Sequence, residues 1–175
     1  MNYDTCHFAV EFEEAQDAVA RLQKYGIRFS KIHISNALKL RPGEALLAQL
    51  AAFADDVYLH QVIVRNGDGS ITRFKDLDLA LSKTQADEAS SAAEWRVHFH
   101  VPLHGKPSGE LHTTADHVLD LLKVLQAQPA LCSHLEMETY TWAVLPEALK
   151  ARDVVEQIVG EYEWTLARLK EHHLA

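Results

Sequence analysis

Cysteine is scarce in this chain, with only Cys6 and Cys132 in 175 residues. They form no motif and no dense framework, and read as free thiols of a reducing cytoplasm. Basic side chains are also in deficit: 17 Lys and Arg stand against 25 Asp and Glu, a net charge of −8. Sequence-independent nucleic-acid binding rests on cations that neutralise phosphates, so this chain is a poor candidate for it, and for an anionic membrane surface. No apolar run approaches the roughly 20 residues that span a bilayer. No basic segment followed by an apolar core marks a secretory signal. No internal repeat is visible.

What remains is an ordinary soluble composition, 47% apolar and 24% charged, in a length that suits a single domain spanning residues 1–175. Histidine is the outlier, with eleven copies. The pattern predicts strands over 2–6, 28–35, 95–102 and 132–140 and helices over 13–25, 44–54 and 114–128, with a long C-terminal helix opening at Pro146. Asn66-Gly67-Asp68-Gly69 marks a hairpin turn within an insertion at about 57–75. Residues 82–94 read as an exposed loop or loose helix. Alternating strands and helices predict an α/β fold with parallel strands and right-handed crossovers. Four such strands make an open doubly wound sheet or half of a (β/α)8 barrel, since a full barrel takes about 250 residues.

Side chains alternate across a strand. His134, Glu136 and Glu138 therefore share one face, as do Arg96, His98 and His100, Lys31 and His33, and Asp4 and Cys6. Parallel strands are normally apolar on both faces, so these polar faces need a partner: water, each other or a ligand. A solvated face is the plain alternative. Asp4, His33, His100 and Glu138, one from each strand, can converge at one end of the sheet. A divalent metal would satisfy carboxylates and neutral imidazoles together. His60 and His112 read as surface or loop histidines without partners, and His172-His173 as a tail. The three tryptophans read chiefly as packing.

Several runs resemble known proteins. Asp4-Thr5-Cys6-His7, Lys31-Ile32-His33-Ile34-Ser35 and Glu138-Thr139 resemble the xylose-isomerase-like TIM barrel superfamily, which holds sugar isomerases, epimerases and apurinic endonucleases. His60-Gln61-Val62, the run from Trp95 to Leu103 and the run from His134 to Trp142 resemble the EboE-like metabolite-traffic family. The resemblance implies the C-terminal, four-stranded half of such a barrel with an inserted hairpin. It implies a divalent metal (Mn, Zn or Co) on Asp4, His7, His33 and Glu138, with Glu138 also moving the proton. Lys31, Arg96, His98, His100, Glu136 and Trp142 become candidates for contact with a small polar metabolite such as a sugar phosphate.

The expected activity is then metal-dependent sugar or sugar-phosphate isomerisation or epimerisation, incomplete in a half-barrel. The alternatives are a non-catalytic metabolite carrier and an endonuclease-like phosphodiesterase, the latter opposed by the acidic charge. A ligand strand that starts at residue 2 also suggests a missing N-terminal half, or a homodimer that closes the open strand edges.

Overall fold

The computed structural model describes residues 1–41, 43–83, 92–107, 111–138, 140–151 and 153–175. In chain order the elements are β1 (Asn2–Asp4), α1 (Thr5–Val10), α2 (Ala15–Lys24), β2 (Lys31–Ile34), β3 (Leu38–Leu40) and α3 (Glu44–Leu50). These are followed by β4 (Val62–Asn66), β5 (Ile71–Phe74), α4 (Leu77–Lys83), β6 (Ala92–Val97) and β7 (His112–Thr113). The chain ends with α5 (Ala115–Ala127), β8 (Leu135–Met137) and α6 (Val154–Glu171).

The strands form two sheets. One is parallel and three-stranded, in the order β1-β2-β8; the other is antiparallel and five-stranded, in the order β5-β4-β6-β3-β7. The fold is thus mixed α/β, and neither sheet closes into a barrel. This overturns the four-stranded parallel half of a TIM barrel, and with it the EboE-type barrel that the resemblance implied. Two features undo the barrel. Three residues after β2 the chain enters β3, a strand too short to announce itself, and crosses into the second sheet. The hairpin is no insertion either, because β4 pairs along β6 from Val62↔Val97 to Asn66↔Ala92. The third expected parallel strand is therefore the antiparallel β6, and His98 and His100 lie just past its end.

The first sheet keeps the two-faced character that its alternation predicts. Ile32 and Ile34 are buried while Lys31 and His33 are only partly so. Tyr3, Ile32 and Ile34 pack with Ala18 and Val19 of α2 and with Leu121 and Leu122 of α5. A second core lies under the antiparallel sheet, around Leu38, Val62, Trp95, Val97 and Phe99. Cys6, Val10, Ala37 and Ile63 form a smaller cluster between them.

Three local expectations change. The first strand stops at Asp4, whose carboxylate caps α1 by accepting from the backbone N–H groups of Cys6 and His7. The C-terminal helix begins at Val154, not at Pro146: Asp153 caps it, while Pro146 precedes a short 3-10 turn over Glu147–Leu149. The sequence pattern also predicts an apolar stripe of Leu149, Val155, Ile158, Tyr162 and Leu169 along this helix, and the middle of it faces outward. Val155, Ile158 and Tyr162 are exposed, whereas Gln157, Glu161 and Thr165 are buried. Glu161 accepts from the Leu103 N–H at 2.9 Å and from Gln157 Nε2 at 3.2 Å, which adds a polar anchor to the apolar contacts of Trp164 and Leu169 with the first core. Most of the loop expected over 82–94 falls on residues 84–91, outside the described residues, as does Thr139. No helix among the described residues is long and apolar enough to cross a membrane.

Candidate metal centre

Parallel strands deliver their C-terminal ends to the same edge of a sheet, and here that edge carries Asp4, His33 and Glu138. Register places Asp4 opposite His33, and His33 opposite Glu136. Glu138 follows the end of β8 and is held by its N–H to Ile34 O, at 3.3 Å.

Asp4 and His33 each have one atom committed to structure and one turned to the site. Asp4 Oδ1 accepts from the Cys6 N–H at 2.9 Å, Ser35 Oγ at 3.0 Å and the His7 N–H at 3.3 Å. Asp4 Oδ2 instead faces His33 Nδ1 at 3.6 Å. His33 Nε2 lies 3.0 Å from Glu136 Oε2, and Lys31 Nζ lies 2.7 Å from the same oxygen. With its proton on Nε2, facing Glu136, the ring offers Nδ1 as a lone pair. Asn2 Nδ2, a donor, lies 3.2 Å from Nδ1 and agrees with that tautomer. Glu138 Oε2 lies 3.0 Å from Nδ1 on the other side.

One oxygen from Asp4, one nitrogen from His33 and one oxygen from Glu138 thus face one another, with the three donors within 4.8 Å. Tetrahedral coordination at 2.0–2.1 Å separates neighbouring donors by about 3.3 Å. The observed 3.0 and 3.6 Å bracket that spacing. Three protein donors leave coordination positions open, the mark of a reactive site over a purely structural one.

The electrostatics describe a charge in need of a partner. Burial first, and then the hydrogen bond and charge of the neighbouring Asp4 carboxylate, raise Glu138 to about 7 against the opposing pull of His33. Burial also pushes Asp4 up, but the hydrogen bond with Glu138 and the nearby His7 and His100 outweigh it and hold Asp4 below the usual carboxylate range. Two carboxylates facing one imidazole lone pair share a proton when no cation is present. Glu136 is the opposite case: Lys31 and then His134 hold it down at about 2, so it stays a fixed anion behind His33.

A second group stands beside the first, reached through Cys6 two residues after Asp4. Donor atoms of Cys6, His98 and His100 also lie within 4.8 Å of one another. Cys6 is completely buried and His100 is 3% exposed. Burial, and then the His100 and His7 rings, bring His98 down to about 3. Burial likewise brings His100 down to about 4, so both imidazoles are neutral near pH 7. Burial raises the Cys6 thiol, with Asp4 and Glu138 adding to it.

The other expected site residues are dispersed. His7 is exposed on α1, its ring 4.3 Å from that of His98, and outside both three-residue groups. Lys31 and Glu136 pair with each other at 2.7 Å. Arg96 pairs with Glu94 at 2.6 Å and lies 4.1 Å over the Phe12 ring. Trp142 Nε1 bonds Ala151 O at 3.4 Å, and Lys150 covers its ring, so it is engaged in local packing.

Sequence reasoning missed two partners of the site. Ser35 steadies Asp4, and Cys6 places its sulfur within 4.8 Å of ligand atoms of His98 and His100. The helix-start spacing from Asp4 to His7 was the available signal for the turn that presents Cys6. His60, read as a surface histidine, is 1% exposed and held between Asp55 Oδ2 at 2.7 Å and His98 O at 3.1 Å.

No family model, no curated protein and no solved structure matches the chain.

Proposed function

We propose that the protein is a divalent-metal centre that binds an oxygen-rich small molecule at the open end of its parallel sheet. Asp4 Oδ2, His33 Nδ1 and Glu138 Oε2 supply the donors. The mixed carboxylate–imidazole set suits zinc, manganese or cobalt. The observation that carries this reading is the convergence of two carboxylate oxygens on one histidine nitrogen whose opposite nitrogen is locked by Glu136. Such an arrangement is electrostatically unfavourable when empty and satisfied by a dication.

The ion's contribution would be Lewis-acid polarisation of a bound oxygen. The chain's own groups set the frame. Ser35 Oγ and the α1 amides fix Asp4, Glu136 orients the His33 ring, and Lys31 balances Glu136. The isomerase, carrier and endonuclease expectations leaned on the barrel. Without it, the donor set alone supports a reading of function, and the net charge of −8 points away from phosphodiester polymers.

A second reading uses the same atoms without metal. Glu138, raised to about 7 by burial and by Asp4, suits a general acid–base that exchanges a proton near neutrality. Manganese binding separates the two. Electron paramagnetic resonance titration of the full chain should show one manganese site, weakened at least about 100-fold in Glu138→Gln and in Asp4→Asn, the latter keeping a capping side chain. Wild-type protein that leaves millimolar manganese free, or variants that bind it as well as wild type, would remove the metal reading and leave the acid–base one.

A further inference from the structure

We propose that Cys6, His98 and His100 form a second metal site, separate in its ligands from the first and suited to a thiophilic ion, zinc(II) or copper(I). The donor atoms of the three side chains lie within 4.8 Å of one another. Cys6 comes from the first turn of α1, and the histidines come from the extended segment that follows β6. The intervening Phe99 is fully buried in the antiparallel sheet's core, and the His98 and His100 rings lie 5.2 Å apart.

The backbone holds both histidines in place. The His98 N–H donates to Gln61 O at 2.8 Å, and Thr141 Oγ1 donates to His100 O at 2.5 Å. His100 Nδ1 lies 3.4 Å from Glu138 O, which accepts its proton and leaves Nε2 as a lone pair.

A thiol in such a place has an ordinary explanation, since a buried cysteine behaves as a small apolar side chain, and Cys6 does pack with Val10, Ala37 and Ile63. The histidines are what that explanation leaves out. His98 Nε2 and His100 Nε2 are both buried and have no hydrogen-bond partner among the described residues. Buried polar atoms in native proteins are nearly always satisfied, and an orphan pair beside a buried sulfur calls for a ligand. Water could serve one nitrogen. A metal serves both and the sulfur at once.

The donor chemistry names the ion. Thiolate with imidazole selects zinc or copper(I) over magnesium, calcium or manganese, which prefer oxygen. On loading, the Cys6 S–H bond breaks, its proton passes to the buffer, and Sγ bonds the metal with no change of oxidation state. The two sites therefore differ in kind. Manganese is restricted to the carboxylate site, while zinc and cobalt enter both.

Cobalt(II) titration of the full chain tests this. The expected result is a near-ultraviolet thiolate-to-cobalt charge-transfer band that Cys132→Ser and Glu138→Gln leave in place and that Cys6→Ser abolishes. Should Cys6→Ser not fold, His100→Gln is expected to weaken the cobalt affinity read from the band at least about tenfold while manganese binding stays intact. No thiolate band at saturating cobalt, or a band of unchanged affinity in His100→Gln, overturns the proposal. Loss of manganese binding with the thiolate band present would sink the carboxylate site and leave this one standing.

Discussion

Acidification should destabilise the metal-free protein through a histidine that belongs to neither candidate site. His117 sits on α5 against the first sheet, where Tyr3 Oη lies 3.0 Å from its Nε2. It is 7% exposed. Burial and then the Arg96 charge lower it from 6.5 to about 4, against smaller opposing effects of Asp116, the Glu13 backbone and Asp120. The unfolded chain thus takes up the proton first. Stability is complete above the unfolded value near 6.5, falls as pH drops toward the folded value near 4, and levels off below it. Between about pH 7.5 and pH 4.5 this single group removes about 2.5 kcal/mol. At a urea dependence of about 2 kcal/mol per molar, the midpoint moves down by about 1 M.

Urea melts followed by tryptophan fluorescence, with chelator present, compare wild type with His117→Gln, whose amide keeps a partner for Tyr3. His98 and His100 also sit low, but they occur in both chains and cancel in the difference. The stability gap between the two proteins should therefore shift by about 2.5 kcal/mol over that range, wild type losing more. A gap that stays constant with pH would show that His117 is not held neutral by its burial.

Two further outcomes are expected. Zinc at about a hundred times its dissociation constant should add about 2.7 kcal/mol per occupied site. For a chain of this length that raises the melting temperature by about 5–10 °C per site, read by scanning fluorimetry, and no rise in wild type contradicts both sites. Asp153→Ala removes the cap whose carboxylate accepts from the Glu156 N–H at 2.9 Å. It should cost about 1 kcal/mol in a chemical melt, and an unchanged midpoint would place the start of α6 elsewhere.

Much of the carboxylate site was legible before any coordinates. Lys31 to Ile34 alternate cleanly, and a four-residue alternation is enough to say which face His33 occupies. Asp4 and Glu138 close similar runs, so periodicity puts each donor on the polar face of its run, while their convergence with His33 comes from the parallel pairing of β1, β2 and β8. The barrel did not follow, because periodicity says nothing about which strands pair. The three residues of β3 carry too little pattern to be seen, yet they redirect the chain into the antiparallel sheet. The sixth helix misled for another reason. Val155, Ile158 and Tyr162 have the spacing of a buried stripe, but the buried Glu161 carboxylate is tied to the Leu103 amide, which turns that stripe outward. Cys6 escaped notice as a donor because one cysteine has no spacing to read, and its histidine partners lie in another sheet's exit segment.

The separation along the chain between the donors also dictates when the candidate sites could take up an ion. His33 and Glu138 are 105 positions apart. Asp4 stands further still from Glu138, and β8 must dock on β2 before the third donor arrives. Contacts of such range form late, after the entropy of closing a long loop has been overcome. During synthesis the emerging chain therefore exposes Asp4, Cys6 and His33 well before their partners exist, and cannot retain a metal on them. Loading belongs to the assembled fold, so metal supplied only while the chain is being made should confer no advantage over metal added after release.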